Sequence, residues 1–507
     1  MKENLQTLLQ EHFSYDSFQE GQEEIIRDVL QGKNVLGMLK TGSGKSICYQ
    51  LPAKVLPYLT IVVSPLISLM IDQVREAKAF GFKEVAALHS MQTWEERQYI
   101  LRHLHTYKLL YISPELIQQQ MILDLCNRRK LSLFVIDEAH CISQWGHDFR
   151  PDYLRLHTVI NALGDPPVLA LTGTATPAVQ DDIQRQLQLH HMARHLYKID
   201  RENIALVLEK VIDDQEKLDM LVSLLKNYKV PTIIYFSSRK MTEQMAQTLQ
   251  LHLGHRSIAY YHGGMDANDR LKVQQQFMHD QLQIICCTSA FGMGINKKNI
   301  RLVIHYQMPS NIEAFIQEIG RAGRDGEQSV SFVLYKDGDI HLPLQLIEQD
   351  LPTKNELLVI NDILQPFIKQ QEPLPQKDEE VEMLFRMKAT KIRFLYFQLQ
   401  THGMMDSNMI VQKIIPPSIW IDMEAYIQKR IQLKKEKAFE LQSYMTYDKC
   451  LREELYRGFQ QTISYVTNCC TNCGFQLSHW DVEQKNDSPI QPLNWMEQLR
   501  SLLLVKE

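Results

Sequence analysis

Residues 34–46 read Asn34-Val35-Leu36-Gly37-Met38-Leu39-Lys40-Thr41-Gly42-Ser43-Gly44-Lys45-Ser46, and a helical stretch follows. An apolar run that ends in a glycine-punctuated turn and opens a helix is the sequence form of a phosphate cradle. Glycines let backbone N–H groups converge on phosphate oxygens at a helix N-terminus, a lysine reaches the β and γ phosphates, and a serine hydroxyl can bind Mg²⁺. Thr41, Gly42, Ser43, Gly44, Lys45 and Ser46 are therefore the candidate nucleotide ligands, with Ser46 also a candidate Mg²⁺ ligand. Leu39 stands where the general pattern has Gly or Ala.

Outward from this loop, short β-branched runs alternate with longer amphipathic stretches as far as about residue 335, the pattern of parallel α/β layers. Strands are expected at 34–39, 60–64, 108–113, 133–137 and 168–172. After a stretch from about 195 to 210 without a strong motif, they are expected again at 232–236, 283–287, 301–306 and 329–335. Two consecutive α/β units of similar size result. Beyond Lys336 the periodicity is helical, interrupted by Pro366, Pro373 and Pro375 and by Pro416-Pro417, so the tail reads as a separate module or pair of modules. The boundaries expected are 1–204, 205–340 and 341–507.

The 507 residues include 44% apolar and 23% charged side chains, which excludes a mostly disordered, collagenous or coiled-coil chain. Fifty-five basic and 60 acidic residues give a formal charge of −5, so polyanion binding must rest on local patches. No 18-residue apolar run suggests a membrane span, and the opening stretch lacks the apolar core of a signal peptide. A cytoplasmic protein without membrane partners is expected, associated with the nucleoid if the source is bacterial.

The apolar run Leu133-Phe134-Val135-Ile136 delivers Asp137-Glu138-Ala139-His140 at its carboxyl end, where ligands of parallel sheets gather. After a phosphate loop, two adjacent carboxylates suit a division of labour: Asp137 holds Mg²⁺ and Glu138 orients and polarises the attacking water. The second unit ends with Gln317-Glu318-Ile319-Gly320-Arg321-Ala322-Gly323-Arg324. Spacing of three places Arg321 and Arg324 on one helical face, from which they would reach the γ-phosphate across the units.

In this order the motifs resemble those of a RecQ-type superfamily 2 DNA helicase over about the first 335 residues. The resemblance is carried by Phe18 to Gln22, Thr41 to Ser46, Ser64 to Leu69, Tyr111 to Glu115, Asp137 to His140, Leu171 to Thr176, His262 to Met265, Ala290 to Ile295 and Gln317 to Gly326. Ile142 to Pro151 resembles the aromatic-rich loop that marks RecQ enzymes. Gln19 departs from the usual Arg and Asn296 from the usual Asp, and Gly173 lies inside the third helicase motif. The resemblance implies two tandem RecA-like lobes with ATP between them, and a helicase acting in DNA repair and recombination. It also implies translocation 3′ to 5′, and it places Gln22 on the adenine and Gln317 on the water or phosphate at the interface. Single-stranded and forked DNA are the implied partners; a single-strand-binding protein or other repair factors are left open. The rival within the superfamily is an RNA helicase.

The loop after His140 carries Trp145, His147, Phe149 and Arg150. Aromatics stack on any base at roughly 1–3 kcal/mol each, and Arg adds phosphate or cation–π contact. Covalent continuity with Asp137 would couple strand occupancy to hydrolysis. Ser64, Ser237 and Arg239 follow strand ends, where hydroxyls, N–H groups and a guanidinium hold phosphates without reading bases.

Four of the nine cysteines crowd the tail as Cys450, Cys469, Cys470 and Cys473. Four thiolates close a tetrahedral zinc site, and C-x₂-C is the usual close pair, so a zinc module over about 441–480 is expected, with His479 the alternative to Cys469. RecQ-type proteins commonly carry such a module. The 34 residues after Cys473 are too few for the winged helix that larger members place beyond it. Two basic runs precede the cysteines: Arg386, Lys388, Lys391 and Arg393, then Lys429, Arg430, Lys434, Lys435 and Lys437. They read equally as a duplex-gripping, helix-turn-helix-like insert or as solvated helix faces.

Overall fold

The computed structural model describes residues 5–143, 150–254, 256–292, 297–406, 408–459, 463 and 466–480. Lobe 1 contains strands β1 (Val35–Met38), β2 (Leu59–Val63), β3 (Val85–Leu88), β4 (Leu109–Ile112), β5 (Leu131–Ile136), β6 (Val168–Thr172) and β7 (Ala193–Leu196). They form one parallel sheet in the order β3-β4-β2-β5-β6-β1-β7. Lobe 2 contains β8 (Ile204–Val211), β9 (Thr232–Tyr235), β10 (Ile258–Tyr261), β11 (Ile284–Cys287), β12 (Leu302–His305) and β13 (Ser329–Lys336). Its order is β10-β11-β9-β12-β13-β8, again parallel throughout. Helices on both faces explain why β1, β2, β4 and β11 are buried along their full length and apolar without alternation.

Among the described residues of the two lobes, nine expected strands are present within one or two residues, and four more were not expected: β3, β7, β8 and β10. Edge strand β7 alternates half-buried and exposed positions and carries Arg194 and His195, so it lacks an apolar run. Pro366 sits inside the helix Lys354–Gln370 rather than interrupting it.

Register sets the site. Leu39 N–H donates to Thr172 O (3.1 Å), Ser64 N–H to Ile112 O (3.1 Å) and Asp137 N–H to Val63 O (2.9 Å). The turns after β1, β2, β4, β5 and β6 therefore lie at one level, the carboxyl end of the sheet, where open α/β sheets keep their crevice.

Residues 354–427 have a core of their own, built on Ile360, Leu364, Ile392, Leu395 and Met423. The helix Pro417–Met445 runs 29 residues out of that core and buries Ala438, Leu441 and Tyr444 against the lobes. The cysteine segment is not a free-standing module. Leu206 on β8 bridges to Cys470, Cys469 and Cys470 lie in a shared core, and Trp480 stacks on Tyr228 with centroids 5.0 Å apart. Among the described residues, no helix is long and apolar enough to cross a membrane.

Candidate nucleotide and nucleic-acid site

The loop after β1 turns through Gly42 (φ 84°) and Gly44 (φ 69°), backbone conformations that disfavour a side chain, and the helix Ile47–Val55 begins at once beyond Ser46. Gln22, which the resemblance assigned to adenine, donates through Nε2 to Ser43 O (2.7 Å) and Gly44 O (3.1 Å), and its Oε1 accepts from Gln19 N–H (2.9 Å). Its amide thus braces the loop. Gly173 completes the wall: a Cβ there would stand 3.0 Å from Lys45 Nζ and 3.4 Å from Thr41 Cγ2. The buried Ser43 hydroxyl has no protein partner among the described residues. A loop of convergent N–H groups, a lysine and an unpaired hydroxyl is a donor set that fits a nucleotide's phosphates.

Asp137 and Glu138 follow β5. Glu138 occupies the left-handed region (φ 48°), an unfavourable backbone for a non-glycine residue and the kind of strain that clusters at functional sites. Burial, and then the adjacent Glu138 carboxylate, push the Asp137 carboxyl up, while Lys45 opposes them. Such an acid pair, Asp137 buried and Glu138 half-buried, fits a divalent cation, whose charge would reverse this balance. His140 Nδ1 lies 3.0 Å from Thr172 Oγ1 and 3.4 Å from Glu138 Oε2, so it holds the acids against β6.

The arginines from lobe 2 arrive by a loop, not on a helical face. The helix Ile312–Ile319 ends at Gly320, and Gly323 (φ 54°) turns the chain, so Arg321 and Arg324 come together on a loop rather than along a helical face. Arg321 donates to Gly292 O, whereas Arg324 lies over Gly42, with its Cγ 3.0 Å from where a Cβ would stand. Burial, then Arg321 and Arg201, push the Arg324 guanidinium down to about 9. Two buried cations beside a half-buried third make a seam shaped for anionic charge. Gly320 touches the phosphate loop so closely that a Cβ would stand 2.2 Å from Thr41 Oγ1. Gln317 is half-buried on the same helix.

Arg201 has no place in the sequence expectations, yet it joins the lobes. Its Nη1 donates to Thr41 O (3.0 Å) and Gly320 O (3.2 Å), and its Nη2 to Ala322 O (3.1 Å) and Gly323 O (2.5 Å). The run Asp200-Arg201-Glu202-Asn203, charged and lying at a lobe boundary, was the signal available.

On the nucleic-acid side, Trp145, His147 and Phe149 lie outside the described residues, as do residues 293–296. Arg150 donates to Pro65 O (2.8 Å), which ties the end of the aromatic-rich segment to the turn carrying Ser64. The buried Ser64 hydroxyl has no partner among the described residues. Ser237 N–H donates to Gln307 Oε1 (2.9 Å), and its Oγ to Met308 O (3.1 Å), on the wall of a cavity of about 340 Å³ shared with Thr288 and Arg430. Arg239 opens the helix Arg239–Leu253 against Gly264. The structure therefore sets Ser64 and Arg150 on lobe 1 and Ser237 and Arg239 on lobe 2.

The ligand atoms of Cys450, Cys469, Cys470 and Cys473 all lie within 4.8 Å of one another, and His479 is not in the group. Ligands about 2.3 Å from a tetrahedral zinc would be about 3.8 Å apart, so the four sulfurs fit such an ion. A hydrogen bond from the Cys469 thiol, joined by the Leu451 and Cys473 N–H groups, holds the Cys470 thiol well below its usual range.

Two family models match: DEAD/DEAH box helicase over residues 19–183 and Helicase conserved C-terminal domain over 216–326. The probable ATP-dependent DNA helicase RecS of Bacillus subtilis is 42% identical over 505 residues, 98% of this chain and 97% of its own. The chain belongs to the RecQ family of ATP-dependent DNA helicases. The ATP-dependent DNA helicase RecQ of Haemophilus influenzae is 43% identical over 335 residues, 66% of this chain and 53% of that RecQ protein. This RecQ-family chain therefore spans about half the length of that relative. The Mycobacterium smegmatis helicase Lhr, solved with ssDNA and AMP-PNP, shares the fold at 18% identity, with a TM-score of 0.55 over 77% of this chain and 56% of its own.

Proposed function

We propose that this RecQ-family helicase couples Mg-ATP hydrolysis at the seam between its lobes to 3′ to 5′ movement on single-stranded DNA and to opening of forked duplexes. The observation that carries the reading is Arg324 of lobe 2 packed over Gly42 of the lobe 1 phosphate loop. A guanidinium delivered from the opposing lobe stabilises charge that develops during phosphoryl transfer only when the lobes are closed. Hydrolysis then reports closure.

In this reading the loop N–H groups, Lys45 and Ser46 hold the phosphates, and Asp137 and Ser46 hold the metal. Mg²⁺ held there would supply positive charge to offset the negative charge that develops on the phosphates. Glu138 takes a proton from the attacking water at its carboxylate and Gln317 orients that water, while Arg321 positions the loop through Gly292. Ser64, Arg150, Ser237 and Arg239 grip phosphates on the two lobes, and Trp145, His147 and Phe149 stack on bases. Contacts of this kind ignore sequence, so binding should weaken with salt. The four cysteines would hold zinc as a structural ion, with no open position for chemistry.

The test is one panel of hydrolysis and unwinding over single-stranded DNA, 3′-tailed, 5′-tailed and blunt duplexes, and RNA. Stimulation by DNA with unwinding of the 3′-tailed substrate is expected; preference for RNA or for 5′ tails would overturn the reading. Trp145→Ala should keep ATP binding and lose stimulation by single strands, and unchanged stimulation would remove the loop from the coupling. Metal analysis of Cys473→Ser should show lost zinc; full retention would refute the four-cysteine site.

A further inference from the structure

Arg201 is buried to 7% exposure in the connection between the last strand of lobe 1 and the first of lobe 2. One of its nitrogens, Nη1, bonds a carbonyl of the phosphate loop and a carbonyl of the arginine loop, and Nη2 bonds two more carbonyls of the arginine loop. Asn203 adds a bond from Nδ2 to Gly323 O (2.8 Å). A planar guanidinium with five donors in a fixed fork can do this; an ammonium, a single point on a flexible stem, cannot.

The same connection is held from the other side. Arg452, 1% exposed on the helix that follows Cys450, pairs with Asp200 Oδ1 (2.5 Å) and donates to Arg201 O (3.2 Å) and to Ile204 O. Its Nη2 also reaches Cys469 O at 3.5 Å. A continuous chain of bonds thus runs from the cysteine cluster through Arg452 and residues 200–204 to both loops of the hydrolytic seam.

We infer that Arg201 is a positioning residue for hydrolysis, holding the arginine loop of lobe 2 in register with the phosphate loop of lobe 1, and that Arg452 anchors this clamp to the cysteine module. The inference rests on the seam being the hydrolytic site. It touches carbonyls rather than reacting atoms, so loss of Arg201 should lower kcat and leave nucleotide affinity nearly intact.

Arg201→Lys in the full chain tests this by two measurements. Steady-state hydrolysis with single-stranded DNA should show kcat reduced about tenfold or more, with KM for ATP changed less than about threefold, since misplacement by about 1 Å can cost a hundredfold. Hydrogen exchange should be about fivefold faster in peptides covering 40–46 and 319–326 and unchanged in β5. A kcat within twofold of the parent, or unchanged exchange in both peptides, overturns the clamp. Should the lysine variant lose its fold, Arg201→Gln, which buries no unpaired charge, is judged by the same two readouts. A parent whose hydrolysis is no faster with DNA than without it overturns the functional reading instead, and the exchange measurement still decides the clamp. For the anchor, Arg452→Gln in an Asp200→Asn background should lower kcat by an amount that does not add to that of Arg201→Gln; full additivity separates the module from the clamp.

Discussion

The two lobes share a construction and differ in what their loops carry. In lobe 1 the turn after β1 contains glycines at positive φ, and no side chain caps the helix it opens. In lobe 2 the turn after β9 is Phe236-Ser237-Ser238-Arg239, where Ser238 caps its helix by accepting from Met241 N–H (3.4 Å). The first leaves its helix without a side-chain cap and shapes its backbone with glycines; the second caps its helix with Ser238 and presents side chains. Lobe 1 also brings two carboxylates to the seam, and lobe 2 brings Arg321 and Arg324. A parallel sheet supplies the crevice twice, and loop chemistry decides what each crevice holds.

This asymmetry can be broken lobe by lobe. Lys45→Ala, on the phosphate-holding side, should abolish turnover, a loss of about a thousandfold in kcat; hydrolysis and unwinding at the parent rate would overturn the loop's role. Arg324→Ala should come close to it, at about a hundredfold or more in kcat with nucleotide binding retained, as a residue acting mainly on developing charge requires. Arg321→Ala, whose guanidinium rests on the Gly292 carbonyl, should cost less. Equal losses would mean that both reach the phosphate.

The seam itself is sharpened by Gly320→Ala, whose Cβ would meet Thr41 Oγ1 at 2.2 Å, against Gly458→Ala, which has nothing within 4 Å. The first should lower kcat about tenfold by parting the lobes, and the second should leave it unchanged. The smallest effect is expected from Lys435→Ala. Lys435 pairs with Glu348 (2.5 Å), Lys434 with Asp350 (2.8 Å) and Lys437 with Glu313, while Lys391 pairs with Glu356 and Arg393 with Asp378. Much of both basic runs is thus neutralised within the chain rather than offered to DNA. Denaturation should show a change of at most about 1 kcal/mol, and DNA affinity should hold across a salt titration; a marked loss of affinity would restore the duplex-gripping reading.

Sequence legibility followed the range of the interactions. The phosphate loop, the Asp-Glu-Ala-His turn and the four cysteines are clusters within a few residues, or runs whose chemistry has few other uses, and strands buried on both faces announce themselves as unbroken apolar runs. Strand β7 and Arg201 lie in or beside the stretch from 195 to 210 that carried no motif, because this edge strand mixes in polar residues and a charge run at a boundary looks like any solvated face; β8, which opens with the apolar run Ile204 to Leu208, was not expected although its signal was present.

By itself, then, the sequence determined the two parallel lobes, the acid pair and the cysteine set, since each depends on local periodicity and spacing, while the family came from the resemblance of its motifs. Only the tertiary structure decided that Arg324 lies over the phosphate loop from a turn rather than from a helical face, that much of both basic runs is ion-paired, and that Arg452 and Arg201 link the cysteines to the seam. Those outcomes depend on which carbonyls and carboxylates from distant parts of the chain meet a buried guanidinium, and no spacing within a segment encodes that meeting.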